Sequence, residues 1–241
     1  AGFRVGLDLY ANIRPARTRP SMPCRGGNMD LVIMREATEG FYPDRNMHQG
    51  IGEFMPTEDL AMSVRKITAK ACERIARQAF LSAAQRRKKV TAVHKANNFL
   101  MTDGLFMREV RKVAMEFPDI ELTDVIVDAM AAHLVRDPGQ FDVIVTTNFY
   151  ADILSDLASE LSGGLGLAGS VNANAETGLV CAQAQHGSAP DIQGQNIANP
   201  TSLILSAGMM LAWLGEQRED DRLRQAGNAI NTAVDAVLDQ A

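Results

Sequence analysis

The feature that most limits what this chain can become is a series of short apolar runs alternating with segments of helical period. Asp30–Met34 (DLVIM), Lys89–His94 (KVTAVH), Ile120–Val127 and Phe141–Val145 (FDVIV) have the length and apolar or β-rich content of buried strands. Val64–Arg87 places Ile67, Ala71, Ile75, Ala79 and Ala83 four apart, with basic residues on the other face, and is expected to be a helix. Further helices are expected at Gly104–Phe117, capped by Thr102-Asp103 and stopped by Pro118, and at Asp128–Arg136 and Phe149–Leu161. Two more fall at Thr201–Leu214 and Arg222–Leu238. Leu179–Gln183 reads as a strand and Gly163–Asn174 as a loop. Thr38–Pro56, rich in Gly, Pro and Asn, is long for a loop and reads as an arm or hairpin that meets a partner. The first residues form a dense polar motif with no ordinary βα opening. Strand–helix alternation of this kind means an α/β fold, in a single unit over residues 1–241.

Composition narrows the function. With 24 Lys+Arg against 29 Asp+Glu, the net charge of −5 gives no global field for nucleic acid or an anionic membrane. An anionic ligand would have to be met by basic residues gathered locally. No apolar run approaches the ~20 residues of a membrane span. Three scattered cysteines, Cys24, Cys72 and Cys181, lack metal-type spacing and read as reduced thiols of a cytoplasmic protein.

Several constellations carry chemistry. Asp152 and Asp156 stand four apart on an expected helix, which puts both carboxylates on one face. They repel each other there, and a hard divalent cation would reverse the sign. Two solvated carboxylates are the plain alternative. Asp128 ends a strand, where α/β sheets place ligands, although it would serve equally as a helix cap. Lys95 comes straight off a buried strand in HKANN, where desolvation or a neighbouring cation would suit it to proton abstraction. Arg4, Arg14 and Arg35 flank core elements and could clamp carboxylates, or each could form a surface ion pair. Gly164, Gly166 and Gly169 spell G-x-G-x-x-G, but a helix precedes them, so they read as a turn and not a dinucleotide fingerprint. HGSAPDIQGQNIANP, residues 186–200, packs His, Gly, Pro, Asp and Asn into a loop ahead of a helix and can present polar groups to a nucleotide.

Six segments, in order, carry a resemblance: LDLYANIRP, REATEGFY, HKANN, VDAMAAHLVR, TTNFYADILSDLASEL and HGSAPDIQGQNIANP. The chain resembles the β-decarboxylating dehydrogenases, which include isocitrate, isopropylmalate, homoisocitrate and tartrate dehydrogenases. The resemblance implies an isopropylmalate dehydrogenase-like mixed sheet flanked by helices, and not a Rossmann fold. It implies NAD and Mg²⁺ or Mn²⁺ as cofactors, and a hydroxy-dicarboxylate or tricarboxylate substrate. It implies a homodimer with shared active sites. Arg4, Arg14 and Arg35 match substrate-carboxylate ligands, Tyr42 the acid that protonates carbon after CO₂ leaves, and Lys95 the general base. Asp128 matches a metal ligand given to the partner's site, beside Asp152 and Asp156 as the remaining metal carboxylates. Asn97 matches a residue near the nicotinamide, and His186, Asp191 and Asn199 match the adenosine-binding loop.

There are departures from the family pattern. Its acidic N-terminal strand with a Gly-rich turn and its C-terminal end have no counterpart, which leads one to expect a truncated or naturally short chain. Gln183 stands where an acidic residue is common, and Thr18–Gly27 is short. A non-catalytic regulatory subunit, or an inactive fragment, is the competing reading. Such a paralogue is expected to have lost the metal carboxylates, the lysine or the tyrosine, all of which are present.

Overall fold

The computed structural model describes residues 2–240. One mixed sheet organises the chain, in the order β6-β5-β7-β2-β1-β8-β9. Its strands are β1 (Ala11–Arg17), β2 (Asp30–Glu36), β5 (Lys89–His94), β6 (Glu121–Ile126), β7 (Val143–Thr146), β8 (Val171–Asn174) and β9 (Leu179–Ala182). β6, β5, β7 and β2 run parallel, whereas β1, β8 and β9 continue the sheet antiparallel. A separate hairpin, β3 (Glu53–Thr57) and β4 (Leu60–Ser63), is exposed at every residue. Among the described residues the α-helices are α1 (Gly2–Gly6), α2 (Ala69–Ala84), α3 (Thr102–Ala114), α4 (Val127–Arg136), α5 (Asn148–Leu161), α6 (Thr201–Gln217) and α7 (Asp221–Leu238).

The alternation of side chains along β2 builds a core on each side. Val32 and Met34 join Val90, Ala92, Val143 and Val145 under α2 and α3, where Ile75, Phe80, Phe106 and Val110 are buried. Leu31 and Ile33 join Val93 and Ile144 under α4 and α5, against Met130, Leu134, Leu154 and Ala158. Strands buried on both faces are the reason these runs are continuously apolar. Farther along the chain, α6 and α7 cross so closely that a Cβ on Gly227 would sit 2.5 Å from the Gly208 carbonyl.

Several expectations need correction. The N-terminal polar motif contains a strand, β1, whose polar side chains point into the protein. Pro15 within it lies past the three residues that pair with β8, at an edge position where proline is tolerated. The segment read as a loop at Gly163–Asn174 ends in β8, a strand whose Asn172 and Asn174 are buried. The helix expected from Val64 starts at Ala69. Val64 N and Lys66 N are already donating to Gly52 and Gly40 carbonyls, and Thr68 Oγ1 caps the helix by accepting from Ala71 N at 3.3 Å. Thr102 and Asp103 lie inside the first turn of α3 and do not cap it. Asp128 likewise lies inside the first turn of α4, after a cap position held by Ile126. Of the region 38–56, residues near Gly40 and Asn46 fold back onto the body, and Asn46 Nδ2 donates to the Gly40 carbonyl at 2.7 Å and to that of Val64 at 2.6 Å. The hairpin follows at 53–63.

Candidate functional site

The antiparallel register of β1 against β2 sets Asn12 opposite Arg35 and Arg14 opposite Ile33. Alternation then brings Asn12, Arg14 and Arg35 to the face covered by α5. On α5, Asp152 and Asp156 share one face, as their spacing requires. Asp152 accepts from Tyr42 Oη at 2.6 Å and Arg14 Nη1 at 3.2 Å, and it pairs with Arg35 Nη1. Burial would raise the Asp152 pKa, but Arg35, the Tyr42 hydroxyl and Arg14 outweigh it and hold it below the ordinary carboxylate value. Asp156 lies 3.5 Å from Arg14 and is about half exposed, at 51%, so its oxygens are open to a ligand. The mutual repulsion of the two carboxylates is therefore met by an arginine that is only 4% exposed.

Positive charge accumulates around them. Arg14 is brought down to about 10 by burial and by Arg35, with Arg4 adding to it. Arg4, whose Nη2 donates to Gln183 Oε1 at 3.1 Å, is brought down to about 10 by burial and Arg35. Arg35 thus presses on both Arg4 and Arg14, a crowding of positive charge that a polyanion would relieve. The Tyr42 phenol is raised by burial and by its bond to Asp152, so it holds its proton at neutral pH.

Lys95 and Asp128 lie apart from this cluster. Lys95 leaves the end of β5, and its Nζ pairs with Asp128 Oδ1, which lowers the Asp128 carboxylate. No hydrogen bond or ion pair joins either to Asp152 or Asp156 among the described residues. Nor do three candidate metal ligands gather anywhere among the described residues of one chain. Asn97 sits in the exposed turn after Lys95.

The loop after β9 surrounds an open cavity of about 1050 Å³, walled by His186, Gly187, Pro190, Ile192 and Asn199 together with Gly166. His186 Nδ1 lies 2.8 Å from the Gly187 carbonyl. Asn199 Oδ1 accepts from Thr201 N at 3.0 Å and so ends the loop at the start of α6. Asp191 occupies a short 3₁₀ turn between two wall residues, but it is itself exposed and outside the wall. Gly164 and Gly166 form a turn after α5, with Gly164 at φ +119, as the rejection of a dinucleotide fingerprint requires.

Several residues were not singled out from the sequence. Asn148 orients Arg35 by accepting from its Nε at 2.7 Å while donating to the Glu39 carbonyl at 2.7 Å. Asn12 does the same for Arg14, accepting from its Nε at 2.7 Å and donating to Ser170 Oγ at 2.8 Å. Ser155 accepts from Arg14 Nη1 at 2.6 Å. Gln185 donates to Asp156 Oδ1 at 3.2 Å. A signal existed for two of them: Asn12 lies two residues before Arg14 on one strand face, and Asn148 one helical turn before Asp152.

A family model described as isocitrate/isopropylmalate dehydrogenase matches residues 2–241. The chain is 48% identical over 225 residues to the 3-isopropylmalate/3-methylmalate dehydrogenase of Methanocaldococcus jannaschii, covering 91% of this chain and 65% of that protein. It is 48% identical to the isocitrate/homoisocitrate dehydrogenase of Thermus thermophilus, covering 99% of this chain and 66% of that protein. The crystal structure of isocitrate dehydrogenase from Methylococcus capsulatus superimposes with a TM-score of 0.88 at 42% identity, covering 99% of this chain and 67% of that one. The chain therefore spans about 65% of the length of the curated relatives it matches.

Proposed function

The chain belongs to the isocitrate/isopropylmalate dehydrogenase family, and from that premise we propose that it oxidatively decarboxylates a 2-hydroxy acid bearing a 3-carboxylate, with NAD and Mg²⁺ or Mn²⁺. The observation that carries the reading is the convergence of Arg14, Arg35 and Tyr42 on Asp152, with Asp156 one turn away.

The residues fit the two groups. Asp152 and Asp156 offer hard oxygen donors, and Asp128 of a second subunit would complete the set. A divalent ion bound there would stabilise negative charge on the substrate oxygen as CO₂ departs. The loop from His186 to Asn199 would hold the adenosine part of NAD and Asn97 would serve its nicotinamide end, and NAD bound there would supply the hydride acceptor.

The chain's own groups do the rest. Arg4, Arg14 and Arg35 bind the substrate carboxylates in fixed orientation, since their guanidiniums are themselves held by Gln183, Asn12 and Asn148. Lys95 removes the hydroxyl proton, and Tyr42, which keeps its proton at neutral pH, gives one to carbon. Because Lys95 and Asp128 travel together and away from Asp152, the reading includes a homodimer in which each serves its partner's site.

The test is turnover of isocitrate, isopropylmalate, homoisocitrate, tartrate and malate with NAD and Mn²⁺. Reduction of NAD with release of CO₂ from at least one acid is expected, abolished by EDTA. Full activity in EDTA, or none with any acid, overturns the reading. For the shared site, mixing inactive Lys95→Ala and Arg35→Ala proteins restores partial activity, and no recovery under verified subunit exchange counts against it.

A further inference from the structure

Asp103 is completely buried in the first turn of α3, and the group facing it is Arg65, only 6% exposed. Arg65 Nη1 lies 2.6 Å from Asp103 Oδ1. The other carboxylate oxygen, Oδ2, accepts from the backbone N of Lys95 at 2.6 Å and from Tyr150 Oη at 3.3 Å. The Arg65 guanidinium also donates to Thr102 Oγ1 and Thr147 Oγ1, each at 3.1 Å. It packs over three rings, with centroids at 4.8 Å for Phe41, 5.3 Å for Phe99 and 5.2 Å for Tyr150. Phe41 in turn meets Phe99 and Phe149 edge-on.

Such a pair is a poor source of net stability. Taking two charges out of water costs much of what their attraction returns, and apolar residues of similar volume often serve as well. Here the satisfaction is also incomplete, because neither Arg65 Nε nor Asp103 Oδ1 has a hydrogen-bond partner among the described residues, and Arg65 meets Asp103 as an ion pair only. What the pair does hold is specific. Phe41 precedes Tyr42. Lys95 is the first residue beyond β5, and its amide is fixed by Asp103. Thr147 precedes α5, which carries Asp152 and Asp156. One buried ion pair therefore touches all three segments that bear the reacting groups, while contacting no reacting atom itself.

We propose that Arg65 and Asp103 are positioning residues that fix the departure point of the Lys95 side chain and the seat of the Phe41-Tyr42 segment. This rests on the reading of Lys95 as base and Tyr42 as acid. The planar fork of Arg65 suits the task, since it pairs with Asp103 and bonds two threonines while stacking on aromatic faces, which a lysine ammonium cannot do. The substrate-binding arginines are held by Asn12 and Asn148, outside this network. Disturbing it should therefore alter turnover and leave substrate affinity in place.

The experiment uses three variants: Asp103→Asn, Arg65→Lys, and the apolar double variant Arg65→Met with Asp103→Leu. Steady-state kinetics with the acid found in the panel is paired with amide hydrogen exchange, and urea unfolding reports stability. In each variant kcat falls about 10- to 100-fold, the size of effect that a small misplacement of a reacting group produces, while KM stays within about twofold. Exchange at Lys95 to Phe99 accelerates, and the amides of Val90 to Val93 keep their protection. The double variant unfolds at a urea concentration equal to or above that of the wild type and still has the low kcat. A folded double variant with wild-type kcat overturns the proposal, as does unchanged exchange at Lys95 in Asp103→Asn. If the wild type turns over none of the acids, the proposed activity has failed separately, and the exchange arm alone decides whether Asp103 positions Lys95.

Discussion

The two halves of the sheet do different work. In the parallel half, β6, β5, β7 and β2, ten of the fifteen buried strand positions are apolar, and helices pack on both faces. In the antiparallel half, β1 and β8 bury Asn12, Arg14, Asn172 and Asn174. Buried polar groups cost free energy unless bonded, so the second half relies on hydrogen bonds, such as Asn12 to Ser170 and Asn174 to the Asp8 carbonyl, where the first relies on packed volume. Arg35 stands at the seam, at the end of a parallel strand but paired against β1. The lesson is that the apolar half supplies rigidity and the polar half spends it on fixing arginines where a carboxylate can meet them.

That contrast is best broken at the seam. Arg35→Ala leaves Asp152, Asn148 and Tyr42 without their shared partner, and kcat/KM should fall about 10³-fold, in line with losing one member of a buried charged pair. Steady-state kinetics on protein with unchanged circular dichroism checks it, and a loss below tenfold would mean the cluster does not bind substrate.

The opposite change belongs to the apolar half. Phe80 is fully buried on α2 and stacks on Phe117 at 5.3 Å. Phe80→Ala should cost about 3 kcal/mol of stability in urea while activity per folded molecule stays near wild type. A selective loss of activity at full stability would erase the distinction between the halves.

The loop at 186–200 belongs to neither half. A carboxylate at Asp191 would accept bonds from a ribose hydroxyl and repel a 2′-phosphate, so the protein should prefer NAD by about 100-fold, and Asp191→Lys should remove or invert that preference. Kinetics with NAD and NADP decides it. The exposed place of Asp191 outside the cavity wall sharpens the question, because unchanged preference in the variant would assign selection to the wall residues instead.

The smallest effect concerns Glu39, which links the α2 face of the sheet to the α5 face. Its carboxylate accepts from Thr68 N at 2.6 Å on the α2 side, and its carbonyl accepts from Asn148 on the site side. Burial raises Glu39 from 4.5 to about 7, with Glu36 adding to it. The folded state then holds this proton more tightly than the unfolded chain, so stability falls as pH rises from about 4.5 through about 7. Glu39→Gln should flatten that fall. Urea unfolding at several pH values measures the slope, and an identical slope in the variant excludes Glu39 as its source.

Much of this was legible in the sequence, for physical reasons that differ by region. A strand buried on both faces must be apolar throughout, so β2, β5 and β7 declare themselves, and the helices show through their four-residue spacing. The i,i+4 spacing by itself puts Asp152 and Asp156 on one face of α5. The motifs pointed to Arg14, Arg35 and Tyr42 as functional. Tertiary structure decided the rest. β1 and β8 are strands whose inward residues are polar, and only the pairing of β1 with β2 and of β8 with β1 and β9, under α5 and α6, makes that burial tolerable; no local pattern announces it. That Asn12 and Asn148 orient the arginines depends on partners far apart in the chain, 113 positions in the case of Arg35 and Asn148. The buried contact of Arg65 with Asp103 likewise joins residues far apart in the chain, and neither one's neighbours in sequence point to the other. A residue's type and spacing determine what it can do, but which opposite charge it meets, and whether water reaches them, is set only when the chain closes.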